Sequence, residues 1–121
     1  MMNKFLTMAA VVAVGLFFAV TEASAAGAIA VDDEAGSKAS EVGYGIGTGP
    51  TREAAGMDAV VECKKAGNSN CKVAVRYDTC GAYAANRDVS GIGWGSSESD
   101  AKSNALEACG SGCKIVVSDC Q

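Results

Sequence analysis

The chain lacks histidine altogether, and only 6% of its 121 residues are aromatic. Without histidine, Ser-His-Asp and Cys-His catalytic groups, imidazole metal ligands and a histidine switch near neutral pH are all excluded. The net charge is −4 and no basic stripe is present, which argues against a nucleic acid or an anionic membrane as a partner. Carboxylates are the remaining candidates for acid–base chemistry.

Three consecutive acidic residues, Asp32-Asp33-Glu34, form the densest acidic segment, and Glu41 lies nearby in the sequence. A pair of catalytic carboxylates requires one group whose pKa is raised by an apolar pocket. Consecutive acids in a turn are normally solvated, so we interpret this segment as a surface loop. The sequence therefore predicts no catalytic residue.

Two glycine-rich segments precede helix-like segments, an order that is also found in nucleotide-binding loops. The spacing does not fit such a loop, because a pattern starting with Gly45 and Gly47 would require a third glycine where the chain has Pro50. We expect these glycines to serve packing, and we predict no cofactor.

Residues 1–25 have the features of a secretory signal peptide. Lys4 precedes an apolar run from Phe5 to Val20, and Ala23-Ser24-Ala25 forms an A-x-A cleavage site. The run is short for a helix that must cross a hydrocarbon core of about 30 Å. We predict cleavage before Ala26, a secreted or periplasmic location, and no membrane attachment of the mature protein.

Residues 26–121 are predicted to form a single disulfide-rich domain. A domain of this size buries only about 60 to 65% of its unfolded surface, so its core is marginal. All six cysteines lie in this part of the chain. An even number of cysteines in a small exported chain indicates a disulfide framework that reinforces the core.

The sequence of this domain indicates a tandem repeat. Residues 45–63 align without a gap with residues 91–109, and a cysteine followed by a β-branched run comes after each aligned segment. We place the two repeats at residues 27–80 and 81–120. Such a duplication predicts two structurally similar halves.

Each repeat is predicted to contain a strand, a second strand, a helix and a third strand. Thr51 and Ser97 are the predicted N-caps of the helices, and Gly67 and Gly110 are predicted to end them. The second strand of each repeat alternates with glycine, so that one of its faces carries no side chains.

Both helices carry a narrow stripe of small residues, which includes Ala55 and Ala59 in the first repeat and Ala101 and Ala105 in the second. We predict that each helix lies on the glycine face of its strand. The predicted fold is α+β, with a mainly antiparallel sheet, two helices on one face of that sheet, and disulfides that staple it.

Six cysteines allow fifteen pairings. Three bridges are favoured, two across the helix-to-strand corners and one between the ends of the last strands: Cys63 with Cys71, Cys109 with Cys113, and Cys80 with Cys120. Loop entropy gives about 2 to 2.6 kcal/mol for each corner bridge and about 4 kcal/mol for the longer one. A bridge between the two helices, Cys63 to Cys109, is the main alternative.

A metal site is a second interpretation of the same cysteines. The spacing of Cys109 and Cys113 suits zinc, and Cys80 and Cys120 could supply two further thiolates. Thiols in an oxidising compartment are normally consumed as disulfides, so we predict no metal.

Trp94 is the single tryptophan, and it occupies the position that Thr48 has in the first repeat. The repeat itself therefore does not require an aromatic residue there. If the glycine face lies under the helix, Trp94 and Tyr44 point to the other side of the sheet. We predict that they form a binding surface, since exposed aromatic residues often anchor interfaces. Coverage of a small second core by Trp94 is the alternative.

Several segments resemble an exported bacterial family called domain of unknown function 4189. They are Y-G-I-G at 44–47, C-K-V-A-V at 71–75, G-W-G-x-S at 93–97 and C-K-I-V-V-S-D-C at 113–120. The resemblance extends over residues 27–120 and implies an exported bacterial protein that consists of this domain nearly alone. The family has no established activity, so the resemblance implies no functional residue.

Two classes of function remain. A small stapled scaffold without catalytic groups suits a non-catalytic protein-binding module of the inhibitor or immunity type, with another exported or envelope protein as its partner. The alternative is a small cell-envelope enzyme that uses carboxylates on a sugar or peptidoglycan substrate. Two carboxyl groups about 5 to 10 Å apart in a cleft would favour the enzyme. An apolar patch around Trp94 would favour binding.

Overall fold

The computed structural model describes residues 25–34 and 38–121. The predicted signal peptide, residues 1–25, lies outside these ranges except for Ala25. None of the helices in the described ranges is both long enough and apolar enough to cross a membrane.

Each half of the domain contains three strands and one helix. The first half consists of β1 (Ala26–Asp32), a short 3-10 turn (Ala39–Glu41), β2 (Gly43–Gly49), α1 (Arg52–Lys65) and β3 (Lys72–Tyr77). The second half consists of β4 (Cys80–Ala85), β5 (Ser90–Gly95), α2 (Glu98–Cys109) and β6 (Lys114–Cys120). The α+β class is confirmed.

The strands form two three-stranded antiparallel sheets, in the orders β2-β1-β3 and β5-β4-β6. The sequence predicts one sheet, and the structure differs because β3 and β4 do not pair with each other. Only Asp78 and Thr79 separate these two strands, and the chain passes from the first sheet to the second at this point. The two halves therefore share one topology, and each has its own central strand.

The four layers are α1, the first sheet, the second sheet and α2. Successive side chains of β1 point to opposite faces of the first sheet and so identify its neighbouring layers. Ala28 and Ala30 pack with the alanines of α1. Ile29 and Val31, on the opposite face, join residues of both sheets in the central core. Each helix therefore covers the outer face of its own sheet, and the inner faces pack against each other. The two helices lie on opposite sides of the domain, not on one face of a single sheet as predicted, because the strands divide into two sheets.

The predicted contact between helix and glycine face is present in both halves. A Cβ atom built on Gly47 would meet the backbone of Ala55 and Ala59 in α1. A Cβ atom on Gly93 would meet the backbone of Ala101 and Ala105 in α2. Side chains larger than hydrogen would therefore separate each helix from its strand.

The helix ends follow the sequence prediction closely. The Thr51 hydroxyl accepts a hydrogen bond from the Ala54 N–H at 3.0 Å, and the Ser97 hydroxyl accepts one from the Asp100 N–H at 3.1 Å. Gly110 follows α2 with a φ of 100°, a conformation that favours glycine.

The six cysteines form the three favoured pairs, Cys63–Cys71, Cys80–Cys120 and Cys109–Cys113, and no cysteine is free. The first and third close the helix-to-strand corners. One placement differs from the prediction, because Cys80 begins β4 in place of ending the last strand of the first half. Cys80 lies directly opposite Cys120 on β6, so this bridge joins neighbouring strands of the second sheet.

None of these bridges connects the two sheets, which are joined by the chain and by the packing of the central core. Tyr77, at the end of β3, is central to this packing. Its ring lies against Gly27 of β1 and Gly81 of β4, where a Cβ atom would collide with it. Its hydroxyl donates a hydrogen bond to Asp119 of β6 at 2.8 Å. Tyr77 therefore couples the two sheets through both apolar and polar contacts.

Candidate functional site

A groove of about 500 Å³ lies where β3 of the first sheet meets β5 of the second sheet. Trp94 and Ile92 line it from β5, and Arg76 and Asp78 line it from the end of β3 and the residue that follows. Arg52, the first residue of α1, completes the wall. The groove therefore combines an exposed apolar side with a charged side.

The Trp94 side chain remains 59% exposed at this groove. Trp94 lies opposite Gly81 on β4, and the Tyr77 ring already occupies the space above Gly81. The inner core therefore has no room for the indole, and β5 is an edge strand that leaves it accessible. This exposure argues against the alternative in which Trp94 covers a second core.

The backbone at Trp94 is held in place even though its side chain is exposed. The Asn104 side-chain amide in α2 donates a hydrogen bond to the Trp94 carbonyl at 2.9 Å. At the equivalent position of the first half, the Thr48 hydroxyl donates a hydrogen bond to the Gln121 side-chain carbonyl at 3.2 Å. The fold thus accepts a small polar residue at this position, and the indole is an addition of the second half.

Arg52 and Asp78 form a two-point ion pair across one end of the groove. The Arg52 Nε and Nη2 atoms donate to the Asp78 carboxylate at 3.1 Å and 2.7 Å. The hydrogen bond and the charge of Arg52 hold the pKa of Asp78 below its usual value. Both side chains are more than half exposed, so this pair orients groups at the surface and adds little to stability.

Arg76 is a second cation at the groove. Its guanidinium lies over Gly56 of α1, where a Cβ atom would be 3.0 Å from Nε and from Nη2. Within residues 25–34 and 38–121, Arg76 forms no ion pair. No pattern in the sequence pointed to Arg52, Arg76 or Asp78 as functional residues. The groove exists only where two sheets meet, and only Trp94, through its difference from Thr48, pointed to it.

Tyr44 and Trp94 do not line the same groove. Tyr44 lies opposite Val31 on β1, and its side chain is 42% exposed. When the alignment of residues 45–63 with 91–109 is extended by one residue, the equivalent of Tyr44 is Ser90, at the start of β5, whereas Trp94 lies near the end of that strand. The predicted surface made by both aromatic residues is therefore divided, and only Trp94 belongs to the groove.

Asp32 corrects the interpretation of the acidic segment as a solvated loop, because its side chain is only 3% exposed. Its carboxylate accepts hydrogen bonds from the backbone N–H groups of Ser69 and Asn70, at 3.2 Å and 3.0 Å, and from Glu34 at 3.0 Å. The connection from α1 to β3 is longer than its counterpart in the second half, and its backbone donors need an acceptor. Asp33 and Glu34 are exposed as expected.

The described carboxyl groups with shifted pKa values do not resemble a general acid. The pKa of Glu98 is lowered, first by a hydrogen bond from the Ser118 hydroxyl at 2.7 Å and then by Lys102. The pKa of Asp78 is also lowered, whereas a general acid requires a raised pKa. Over the described part of the chain, no cluster of three or more acidic or cysteine residues is arranged to hold a metal ion.

The fold and the groove define a small, disulfide-bonded α+β domain of two similar halves with an exposed aromatic residue at their junction. Residues 26–120 match the family described as Domain of unknown function (DUF4189), and the chain belongs to that family. No curated protein matches the chain, and no solved structure matches it either. The three disulfides indicate an oxidising environment outside the cytoplasm.

Proposed function

We propose that this protein is an exported, non-catalytic protein-binding module of the inhibitor or immunity type, and that the groove beside Trp94 is its binding surface. The observation that carries the proposal is the exposed indole at a position where the other half of the fold uses Thr48. A large exposed aromatic residue that is not needed for packing suits an interface anchor. The partner is another exported or envelope protein.

The charges of the groove suggest what such a partner presents. Trp94 and Ile92 offer apolar surface, and Arg76 offers a positive charge that no ion pair in the described residues neutralises. An apolar side chain with a carboxylate beside it would complement both. Because the protein as a whole carries a net charge of −4, this attraction is local and depends on close contact.

The enzyme alternative has weaker support. Asp78 is the carboxylate among the residues that line the groove, and it is paired with Arg52. A carboxylate whose pKa is lowered by an arginine is a poor proton donor at neutral pH. A protein-binding surface accounts for the groove without requiring a second acid.

The repeat supplies a test of the binding surface, because Trp94→Thr installs the residue found at the equivalent position. We expect a nearly unchanged melting temperature, together with a loss of more than about 1 to 2 kcal/mol of affinity for the partner. The partner would be recovered from cell-envelope extract with the wild-type protein, identified, and titrated against both proteins. Tyr44→Ser is the matched control, since it removes an exposed aromatic outside the groove and installs the residue found at position 90.

Two results would overturn this binding surface. Recovery of the same proteins at equal affinity by wild type and Trp94→Thr would remove the groove from the interface. A large fall in the melting temperature of Trp94→Thr, corresponding to a loss of about 3 to 5 kcal/mol in the free energy of unfolding, would show that the indole is packed in solution.

Export is part of the proposal and has its own measurement. Protein recovered from the exporting cell should begin at Ala26, as intact-mass analysis would show. Retention of residues 1–25 would contradict signal cleavage.

A further inference from the structure

A second cavity, of about 460 Å³, lies away from the Trp94 groove and is lined by three cationic side chains. Lys38 precedes the 3-10 turn of the first half, Arg87 lies in the turn between β4 and β5, and Lys114 is the first residue of β6. Three separate parts of the chain thus bring like charges to one place. The arrangement stands out in a protein whose net charge is −4.

No acidic residue is among the described residues that line this cavity. No ion pair involving Lys38, Arg87 or Lys114 occurs in the portion of the chain that the structure covers. Acidic groups lie outside its walls: the Glu41 carboxylate accepts a hydrogen bond from the Lys38 backbone N–H at 3.1 Å, and Asp33 and Asp88 line a neighbouring cavity that shares Arg87. Like charges around one cavity repel each other, and an anion placed among them would relieve this repulsion.

The backbone that presents Arg87 is well defined. The Asn86 side-chain carbonyl accepts hydrogen bonds from the N–H groups of Asp88 and Val89, at 2.8 Å and 2.9 Å. The Asn86 amide nitrogen donates to the Ser111 carbonyl at 3.1 Å, which ties this turn to the connection that precedes β6. The turn carrying Arg87 and the strand carrying Lys114 are therefore held in a fixed relation.

The remaining residues that line the cavity are small or uncharged: Ala39, Ser40, Ala85, Asn86 and Gly112. Ala85 lies directly opposite Lys114 in the sheet and is buried. We propose that this cavity binds a small organic anion that carries two negative charges on an apolar body. The charges face the three cations, and the apolar body lies against Ala39, which is partly exposed. This site is separate from the Trp94 groove and does not depend on the protein-binding proposal.

The first half contains a natural control for this site. Lys72 begins β3 just as Lys114 begins β6, and both side chains follow a disulfide-bonded cysteine. Lys72 is exposed and does not line the cavity. Lys72→Gln and Lys114→Gln therefore remove the same charge from equivalent places, and only one of them alters the proposed site.

The experiment is a titration followed by the backbone amide signals in NMR. Phenyl phosphate and phthalate each carry about two negative charges on a benzene ring near pH 7.5, and they distinguish a phosphate ester from a dicarboxylate. Benzyl alcohol is the neutral probe. We expect saturable shifts at the amides of Asn86 and Lys114 with at least one of the two anions, and none of comparable size with benzyl alcohol.

Lys114→Gln should weaken binding of the effective anion by at least about fivefold, as expected for loss of one charged contact. Lys72→Gln should leave binding within about twofold of wild type. Arg87→Gln changes a residue in a different part of the fold and should weaken binding as Lys114→Gln does. It provides the same test if Lys114→Gln fails to fold. If neither anion gives a saturable shift at concentrations up to about 20 mM, its affinity is too weak for a specific site, and the proposal is overturned. Equal weakening by Lys72→Gln and Lys114→Gln would also overturn it, because binding would then follow net charge alone.

Discussion

Replacement of Gly93 by alanine tests the close approach of α2 to β5, on which the second half of the fold depends. The added Cβ atom would meet the Ala101 carbonyl and the Ala105 N–H, and it would lie 2.8 Å from the Asn104 carbonyl carbon. Carbon atoms normally approach no closer than about 3.5 Å. All three contacts are with helix backbone, which cannot move aside by a change of rotamer.

The collision can be relieved only if the helix moves outward by roughly 1 Å, which loosens the alanine contacts between α2 and the sheet. Overpacking of a well-packed interior costs about 1 to 3 kcal/mol, and contacts with backbone belong at the upper end. The gain from replacing glycine in a strand is smaller, about 0.5 to 1 kcal/mol. We therefore expect Gly93→Ala to lower the free energy of unfolding by about 2 to 3 kcal/mol.

Gly56→Ala is the matched control, because the three atoms nearest to its Cβ atom would all belong to the movable end of Arg76, the closest at 3.0 Å. Alanine is favoured over glycine within a helix by about 0.8 to 1 kcal/mol. This variant should therefore be neutral or stabilised by up to about 1 kcal/mol. Urea denaturation with the disulfides intact measures both variants, and a loss of 2 to 3 kcal/mol should lower the midpoint by about 1 to 3 M.

A Gly93→Ala protein whose stability lies within about 0.5 kcal/mol of wild type, at an unchanged denaturant slope, would refute the close-packing argument. The strand glycines would then reflect something other than helix contact.

Three further predictions concern the core and the bridges. Tyr77→Phe removes the hydrogen bond to Asp119 and should cost about 1 to 2 kcal/mol at neutral pH. Burial, and then Asp119, raise the pKa of Tyr77, so the folded state favours its neutral form. Stability should therefore be complete below the ordinary tyrosine pKa of about 10 and decline above it, and Tyr77→Phe should flatten that decline in denaturation series at increasing pH. Asp32→Ala leaves three backbone N–H groups without their acceptor and should cost about 3 kcal/mol, against less than about 0.5 kcal/mol for the exposed Asp33→Ala. Peptide mapping of the unreduced protein should recover the three disulfide pairs, and free thiols would contradict them.

Much of each half could be predicted because its signals are local. Period-two alternation with glycine placed the second strand, and small residues repeating along one face placed the helix upon it. Thr51 and Ser97 were recognisable as caps because a side-chain oxygen just before a helix satisfies a free N–H group of its first turn. The corner bridges followed from the short separation of each cysteine pair. Short-range rules of this kind require no knowledge of how the halves meet.

The candidate site was only partly predictable. Trp94 stood out because the repeat offers Thr48 for comparison, but the arginines beside it carried no comparable signal. From the sequence, Arg52 is an ordinary first residue of a helix, and Arg76 is an ordinary exposed residue of a strand. They line the same groove as Trp94 only because β3 and the start of α1 lie beside β5, residues that are far apart in the sequence.

The sequence by itself determined the order of strands and helix in each half and the helix-on-glycine contact, and it favoured the two corner bridges, because each depends on spacing along a short stretch of chain. Only the tertiary structure decided that the strands divide into two sheets, that Tyr77 lies between them and that Asp32 is buried. The third feature depends on the backbone N–H groups of the loop between α1 and β3, which require an acceptor. The first two depend on the packing of the inner faces of the two sheets against each other. The exposed indole has the same origin, because the ring of Tyr77 fills the space over Gly81 and leaves Trp94 outside.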